Sequence, residues 1–147
     1  MKIGIVGYSS KHIDEQLGIQ LLSQELSKIT SSSKATGTIE IVTGLTNIGI
    51  PKLAYQIADQ QHYIKIGISA QQAHQVKCGV YPVDKEIIVG EVFGDESQTF
   101  VDYIDYLVRI GGGKQSAHEV RLFKEKCIRL NWTLAERLFE QEFSLTY

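Results

Sequence analysis

The stretch from Asp105 to Glu119 constrains this chain more than any other. It opens with an apolar run typical of a β-strand, passes through three consecutive glycines and then takes on helical character. Glycine lets the backbone approach a ligand closely and adopt φ values that other residues avoid. The start of a helix carries unpaired N–H groups and the positive end of the helix dipole, and both attract anions. This order of elements favours phosphate binding at the glycines, with the rest of the chain forming the sheet that holds the loop.

A second interpretation of the same stretch needs no ligand. Ser116 and Glu119 have the spacing of a capping box, in which a serine and a glutamate each bond the backbone N–H of the other at a helix start. Glycines before a helix often form only a tight turn. In the ligand-binding interpretation, Ser116 supplies a hydroxyl donor and Lys114 a positive charge. These residues alone leave both interpretations open.

Strand and helix signals alternate along the chain. Apolar runs predict strands at Lys2–Gly7, Thr38–Thr43, Tyr63–Ser69, Glu86–Val92 and Tyr106–Ile110. Helical spacing predicts helices at Ile13–Ile29, Ile50–Gln61, Thr99–Ile104, Ser116–Leu130 and Thr133–Phe143, with polar loops at 31–37 and 70–84. The alternation indicates βαβ units and one α/β domain, with a mostly parallel sheet of about five strands flanked by helices. The core of this domain is predicted to span residues 1–130, and residues 131–147 are predicted to be its helical C-terminal extension.

Three predicted strands end in a glycine turn that leads into a helix. These turns are Gly7–Ser10, Gly44–Pro51 and Gly111–Gly113. In an open parallel sheet such turns lie at the carboxyl edge, where ligands bind at the point where the strand order reverses. Three glycine turns at one edge therefore predict a ligand site more strongly than any one of them does.

Length and charge restrict the class of protein. A chain of 147 residues fits one domain, and a net charge of −2 with mixed signs argues against a nucleic-acid partner. No apolar run has the length of a membrane-spanning helix, and the N-terminus is typical of a strand, not of a signal peptide. We therefore expect no nucleic-acid or membrane partner. Cys78 and Cys127 have no partner motif, which indicates free thiols and a cytoplasmic location. The histidines lack the spacing of a metal site, so no metal or cofactor is expected.

The stretch from Asp105 to Glu119 resembles the signature of a known family. Asp105, five residues, the glycines at 111–113, two residues, Ser116, two residues and Glu119 are similar to the pattern of the LOG family, Asp, five residues, Pro-Gly-Gly-x-Gly-Thr-x-x-Glu. That family is often mislabelled lysine decarboxylase-like and belongs to the SLOG superfamily of Rossmann-like nucleotide-binding domains. The two earlier glycine turns resemble the family's other turns.

The resemblance implies a Rossmann-like fold and a homodimer that binds a nucleotide or phosphorylated nucleoside. Catalytic members hydrolyse the N-glycosidic bond of nucleoside 5′-monophosphates. Glu119 would then be the catalytic carboxylate near the ribose, since a carboxylate can stabilise the positive charge that develops on the sugar. The ligand-binding positions implied by the resemblance and by the turns are Gly7, Ser9, Ser10, Gly44, Gly49, Gly112, Gly113, Lys114, Gln115 and Ser116.

The chain departs from the family pattern at several places. Gly111 replaces the proline, Gln115 the third glycine and Ser116 the threonine. Catalytic members carry an arginine shortly before the aspartate, whereas this chain has no lysine or arginine between Lys85 and Arg109. We therefore expect a nucleotide-binding protein without strong turnover, with a phosphoribohydrolase as the alternative. A third hypothesis is a scaffold protein with purely structural glycine turns, which predicts an empty and uncharged cleft.

The remaining expectations concern His118, Asp105 and assembly. His118, beside Glu119, is a candidate acid or base, although a histidine in a first helical turn is more often simply exposed. Asp105 precedes a strand, so a structural role is expected. The homodimer is predicted to form through helices Ile50–Gln61 and Ser116–Leu130 and the aromatic C-terminal segment, because symmetric dimers commonly bury apolar stripes. The stripe residues are Leu53, Ile57, Ala58, Val120, Phe123, Cys127, Leu134, Leu138, Phe139 and Phe143.

Overall fold

A six-stranded parallel sheet forms the centre of the structure, a computed structural model that describes residues 1–10, 12–32 and 37–145. Its strands are β1 (Lys2–Gly7), β2 (Glu40–Thr43), β3 (Ile64–Ser69), β4 (Lys85–Ile88), β5 (Tyr106–Ile110) and β6 (Leu138–Gln141). The α-helices are α1 (Glu15–Thr30), α2 (Gly49–Gln61), α3 (Ser97–Tyr103) and α4 (Lys114–Arg129). Short 3-10 helices cover Gln71–Gln75 and Leu134–Glu136. Most of the predicted loop at 31–37 lies outside the described residues.

The strand order reverses between β1 and β5, next to the glycine turns that follow these strands. The order is β4-β3-β2-β1-β5-β6, and every pair of neighbours is parallel. From β1 the chain runs outward through β2 and β3 to β4, then returns to place β5 on the other side of β1. The carboxyl ends of β1 and β5 therefore flank the crevice in which such sheets bind ligands.

Helices cover both faces of the sheet. The alternation of side chains along each strand sends Ile3 and Ile5 into a core shared with α1 and α2, and Val6 into a second core shared with α3 and α4. Leu53 of α2 and Phe123 of α4 are buried in these two cores. The predicted α/β fold with a mostly parallel sheet flanked by helices is confirmed. Within the described residues, no helix has the length and apolar character needed to cross a membrane.

Helix ends follow from local chemistry. Asp14 caps α1, since its Oδ1 accepts a hydrogen bond from the backbone N–H of Leu17 at 3.1 Å. His62 ends α2 in the left-handed conformation with φ of 59°, and its backbone N–H bonds the carbonyl of Asp59.

The predicted C-terminal helix Thr133–Phe143 is wrong. A 3-10 turn is followed there by β6, which pairs in parallel with β5 from Leu138 opposite Leu107 to Gln141 opposite Ile110. The free edge of β5 offers backbone partners to this segment, and such long-range pairing overrides local helical spacing. The extension of the domain thus contributes a sixth strand, and Phe143 packs into the core on the α1 and α2 face.

Candidate functional site

A cavity of about 540 Å³ opens at the carboxyl edge of the sheet. Its wall includes Gly7 at the end of β1, Thr43 at the end of β2, Ser69 at the end of β3 and the start of α4 from Gly113. The glycine turns after β1, β2 and β5 all lie at this edge, as a parallel sheet requires. The sequence-based expectation that these turns meet is therefore met by the geometry.

The glycines after β5 hold conformations that other residues avoid. Gly111 has φ of +61° and Gly112 φ of +106°. A Cβ on Gly112 would overlap the Ser116 hydroxyl, and a Cβ on Gly111 would lie 2.8 Å from the carbonyl oxygen of Phe143. The turn is therefore packed tightly between the first turn of α4 and the segment that follows β6.

The start of α4 is open to the cavity. Gly113 is the N-cap residue, and no side chain hydrogen-bonds this end of the helix. In the described part of the chain, the backbone N–H groups of Lys114, Gln115 and Ser116 have no backbone acceptor. Unpaired N–H groups at the positive end of a helix dipole form a site for an anion.

The capping-box interpretation of Ser116 and Glu119 is wrong. Ser116 lies inside α4 and is not its N-cap, because the helix already begins at Lys114. Its hydroxyl donates to the carbonyl oxygen of Gly113 at 3.0 Å. Glu119 lies in the second turn, where it lines the cavity. A capping box therefore does not explain the spacing of Ser116 and Glu119, and both side chains remain candidate site residues.

Glu119 is buried, with 6 % of the residue exposed. Burial is the main cause that raises its pKa from 4.5 to about 7, and the nearby charge of Glu96 raises it further. Gln115 and Ser97 act in the opposite direction. The Ser97 hydroxyl, itself buried, lies beside the carboxyl but outside regular hydrogen-bond geometry with any described residue. Glu119 can therefore donate or accept a proton near neutral pH.

Glu96, 3 % exposed, is a second carboxylate in the cavity wall. Its Oε2 accepts a hydrogen bond from the backbone N–H of Ala70 at 2.9 Å. Its Oε1 accepts from the backbone N–H of Gly94 and from the side-chain amide of Gln115, both at 2.8 Å. One carboxylate thus joins the loop after β3, the loop before α3 and the start of α4.

Most of the predicted binding residues lie together in the cavity wall, and three lie behind it. The wall contains Gly7, Ser9, Gly44, Gly113, Lys114, Gln115, Ser116 and Glu119. Ser10, Gly49 and Gly112 support the turns instead: Ser10 Oγ accepts a hydrogen bond from the backbone N–H of His12 at 3.1 Å, and Gly49 lies against the backbone of Tyr8. His118 is exposed and contacts Arg121 at 3.3 Å, away from the cavity.

Sequence reasoning missed Glu96 and the apolar part of the wall. Glu96 stood among several acidic residues before β5, and no spacing distinguished it. Ile48, Val76 and Phe93 come from three separate loops, and Phe93 remains 40 % exposed at the cavity. Only Phe93 carried a signal, since an aromatic residue beside Gly94 in a polar loop is a candidate ligand contact. Among the described residues, no group of three or more His, Cys, Asp or Glu side chains could hold a metal ion.

Solved structures share this fold. No protein-family model and no curated protein matches the chain. The molybdenum cofactor binding protein of Rippkaea orientalis is similar, with a TM-score of 0.68 and 20% identity over 97% of this chain and 77% of that one. The molybdenum cofactor carrier protein of Chlamydomonas reinhardtii gives a TM-score of 0.62 and 19% identity over 97% and 89%. TM1055, a structural genomics target, gives 0.58 and 20% over 85% and 69%. The chain thus shares the Rossmann-like α/β fold of these structures.

Proposed function

We propose that this protein is a LOG-type nucleotide-binding protein that holds a nucleotide or phosphorylated nucleoside in the cavity at the carboxyl edge. The observation that carries this proposal is the open start of α4. The N–H groups of Lys114, Gln115 and Ser116, which have no acceptor among the described residues, lie at the cavity wall behind a glycine turn that brings the backbone close. A phosphate bound there satisfies these donors and interacts favourably with the helix dipole.

Charge and shape support the same orientation of the ligand. Lys114 is exposed, and its ammonium group can reach a phosphate at the helix start. The apolar part of the wall, with Ile48, Val76 and Phe93, is suited to a flat heterocycle, and Phe93 offers a ring for stacking. A volume of about 540 Å³ is within the range of small-molecule sites.

The neighbours' printed names extend the class of ligand. Two of them are described as binding or carrying the molybdenum cofactor. A phosphorylated pterin, like a nucleotide, joins a phosphate to a nitrogen heterocycle, so the anion site and the apolar wall are suited to both. We therefore include a phosphorylated pterin in the ligand class and let the binding experiment distinguish it from a nucleotide.

Thermal unfolding with candidate ligands tests the proposal. A ligand present at about a hundred times its Kd should stabilise the fold by roughly 2.7 kcal/mol. The panel holds AMP, ADP-ribose, inorganic phosphate and a phosphorylated pterin, and mass spectrometry of co-purifying small molecules guides its extension. Lys114→Ala should reduce the shift, whereas Lys124→Ala, on the exposed face of the same helix, should leave it unchanged. Absence of any shift with all phosphorylated compounds would contradict the proposal.

A second candidate function is hydrolysis of the N-glycosidic bond of a nucleoside 5′-monophosphate. The buried Glu119 carboxyl in the cavity wall favours it, because burial raises its pKa to about 7 and makes it a suitable acid or base. Chromatography of the base released from a nucleotide panel tests it. Glu119→Gln should abolish the release, and Glu125→Gln, an exposed position on the same helix, should not. Release that survives Glu119→Gln would exclude this mechanism.

The proposal also includes a homodimer, but the surface expected to form its interface differs from the one predicted from the sequence. The predicted stripes on α2 and α4 face the chain's own cores: Leu53 and Phe123, for example, are 1 % and 0 % exposed. Among the described residues, Ile128 near the end of α4 is the most exposed large apolar side chain, at 81 %, and Leu130 just after the helix is 46 % exposed. We therefore expect this end of the molecule, and not the predicted stripes, to form the dimer contact.

A further inference from the structure

Two buried carboxyl groups share one hydrogen-bond partner in the cavity wall. Glu96 stands at the N-cap position of α3 and Glu119 in the second turn of α4, and they are 3 % and 6 % exposed. The side-chain amide of Gln115 donates to Glu96 Oε1 at 2.8 Å, and the same side chain hydrogen-bonds the Glu119 carboxyl. Two neighbouring carboxyl groups in a site of low solvent exposure resist ionising together, because their negative charges repel each other.

The hydrogen bonds of the two groups differ, and they decide which group carries the charge. Glu96 accepts bonds from two backbone N–H groups and from the Gln115 amide, and three N–H donors stabilise a carboxylate. Glu119 is hydrogen-bonded by the side chains of Ser97 and Gln115, and in the described part of the chain no backbone N–H donates to it. Glu96 therefore keeps the negative charge and Glu119 the proton.

Burial and one neighbouring charge both favour the neutral form of Glu119. Burial is the main cause that raises its pKa to about 7, and the charge of Glu96 raises the pKa further. The described residues of the cavity wall include three more titratable side chains, those of Tyr8, Cys78 and Lys114. Of these four neighbours, Glu96 is the one whose charge changes the pKa of Glu119.

Glu119 lies next to the proposed anion site. It follows Ser116 by three positions, and its contact with Gln115, four positions earlier, shows that its side chain leans towards the start of α4. The backbone N–H groups of residues 114–116, which have no backbone acceptor among the described residues, lie at that start. An ionised Glu119 would repel an anion bound there, whereas a protonated carboxyl group can donate a hydrogen bond to it.

We propose that Glu119 binds the ligand as a neutral carboxylic acid that donates a hydrogen bond to the phosphate, and that the charge of Glu96 is a positioning device that keeps Glu119 neutral. The inference rests on the proposed function, since it concerns the same site. Binding then weakens as the pH rises and Glu119 loses its proton. A neutral carboxyl group also does not stabilise positive charge on a sugar, so this feature favours binding over glycosidic hydrolysis.

A purely structural role of Glu96 makes a different prediction. If its carboxylate only joins the loop after β3, the loop before α3 and the start of α4, its replacement lowers the stability of the fold and leaves the titration of Glu119 unchanged. If it keeps Glu119 neutral, its replacement also moves that titration. The titration midpoint of Glu119 is therefore the quantity to measure.

The first measurement is a pH titration of the full chain, labelled with carbon-13 at the glutamate carboxyl groups and followed by nuclear magnetic resonance. The Glu119 signal is the one lost in Glu119→Gln, and we expect its midpoint at about pH 7. Glu96→Gln should move the midpoint down towards 4.5, and the exposed Glu125→Gln should leave it unchanged. Gln115→Ala, at an exposed position, should fold normally and raise the midpoint, because a donor to both carboxyl groups is lost.

The second measurement is the affinity for inorganic sulfate at pH 6 and pH 8, followed by the backbone amide signals of Lys114 and Ser116. Sulfate keeps its charge over this range, so a change in affinity comes from the protein. The unaltered protein and Glu125→Gln should bind sulfate about tenfold more tightly at pH 6, because most Glu119 carboxyl groups are protonated there. Glu119→Gln, whose amide donates at both pH values, should bind equally well at both.

The possible outcomes separate this inference from the proposed function. A Glu119 midpoint near 4.5 in the unaltered protein overturns the inference, whether or not a nucleotide binds. A midpoint that neither Glu96→Gln nor Gln115→Ala moves overturns the role of Glu96. Sulfate affinity that is equal at both pH values in the unaltered protein overturns the donor role of Glu119 and leaves the anion site intact. If sulfate does not bind at either pH, the anion site of the proposed function and the donor role fail together.

Discussion

Asp105 and Lys2 hydrogen-bond each other twice, where β5 and β1 begin. The backbone N–H of Asp105 donates to the carbonyl oxygen of Lys2 at 2.8 Å, and Asp105 Oδ2 accepts from the backbone N–H of Lys2 at 2.9 Å. The two residues are 103 positions apart in the sequence. Asp105 thus fixes the two central strands against each other at the edge opposite the cavity, which is the structural role expected for it.

Replacing Asp105 should destabilise the fold without altering the site. Asp105→Ala leaves the Lys2 N–H without its side-chain acceptor, and we expect a loss of about 1–3 kcal/mol in the free energy of unfolding. Asp105→Asn keeps an acceptor oxygen and should cost less than half as much. Urea unfolding followed by circular dichroism measures both. Equal stability of Asp105→Ala and the unaltered protein would show that the hydrogen bond contributes nothing.

Lys126 should stabilise the end of α3. Its buried ammonium group donates to the carbonyl oxygens of Val101, Asp102 and Ile104 at 2.9, 3.0 and 2.6 Å. Lys126→Met removes the donor from these carbonyls at the negative end of the helix dipole, so we expect a loss of about 2–4 kcal/mol. Thermal unfolding measures it, with the exposed Lys124→Met as the control. A melting temperature of Lys126→Met equal to that of the control would contradict this role.

Stability should depend on pH through Glu119. Burial raises its pKa from 4.5 to about 7, so the folded state holds a proton that the unfolded chain releases between these values. The contribution is fully present below pH 4.5 and is lost as pH rises to about 7. Glu119→Gln does not titrate, so relative to the unaltered protein it should gain up to about 3 kcal/mol between these limits. Denaturant unfolding across this pH range measures the difference, and a constant difference would exclude the raised pKa.

The two glycines at 112 and 113 should respond differently to alanine. Gly112 has φ of +106°, and a Cβ there would overlap the Ser116 hydroxyl, so Gly112→Ala should cost about 1–3 kcal/mol. Gly113 has an ordinary φ of −106°, and a Cβ there would have no atom within 4 Å. Gly113→Ala should therefore fold normally. The added methyl group should instead weaken phosphate binding, because it stands at the start of α4 where the phosphate is proposed to bind. Melting temperatures with and without inorganic phosphate measure both effects, and equal destabilisation would contradict the difference.

The proposed homodimer is tested by light scattering at micromolar concentration. We expect twice the chain mass of 16.5 kDa. Ile128→Glu places a charge on the most exposed apolar side chain, and it should shift the mass towards that of one chain. Ile64→Glu, at a side chain 37 % exposed elsewhere on the surface, is the control. A mass near 16.5 kDa for the unaltered protein would rule out the dimer.

The sequence by itself determined the elements that depend on neighbouring residues. Apolar runs located β1 and β5 at their observed bounds, and the glycines at 111 and 112 marked the turn because their positive φ values need glycine. Parallel topology then followed from the alternation of strands and helices, and it placed three glycine turns at one edge. All of these inferences use a local property of the chain, so they required no knowledge of long-range contacts.

Tertiary structure decided what depends on distant partners. The segment Leu138–Gln141 has the spacing of a helix, and it is a strand because the edge of β5 supplies its hydrogen-bond partners. Glu96 is indistinguishable from its acidic neighbours until folding brings Ala70, Gly94 and Gln115 to its carboxylate. The raised pKa of Glu119 likewise arises from burial, which is set by elements far apart in the sequence. Pairing, burial and charge environment are properties of the packed chain, and no local pattern encodes them.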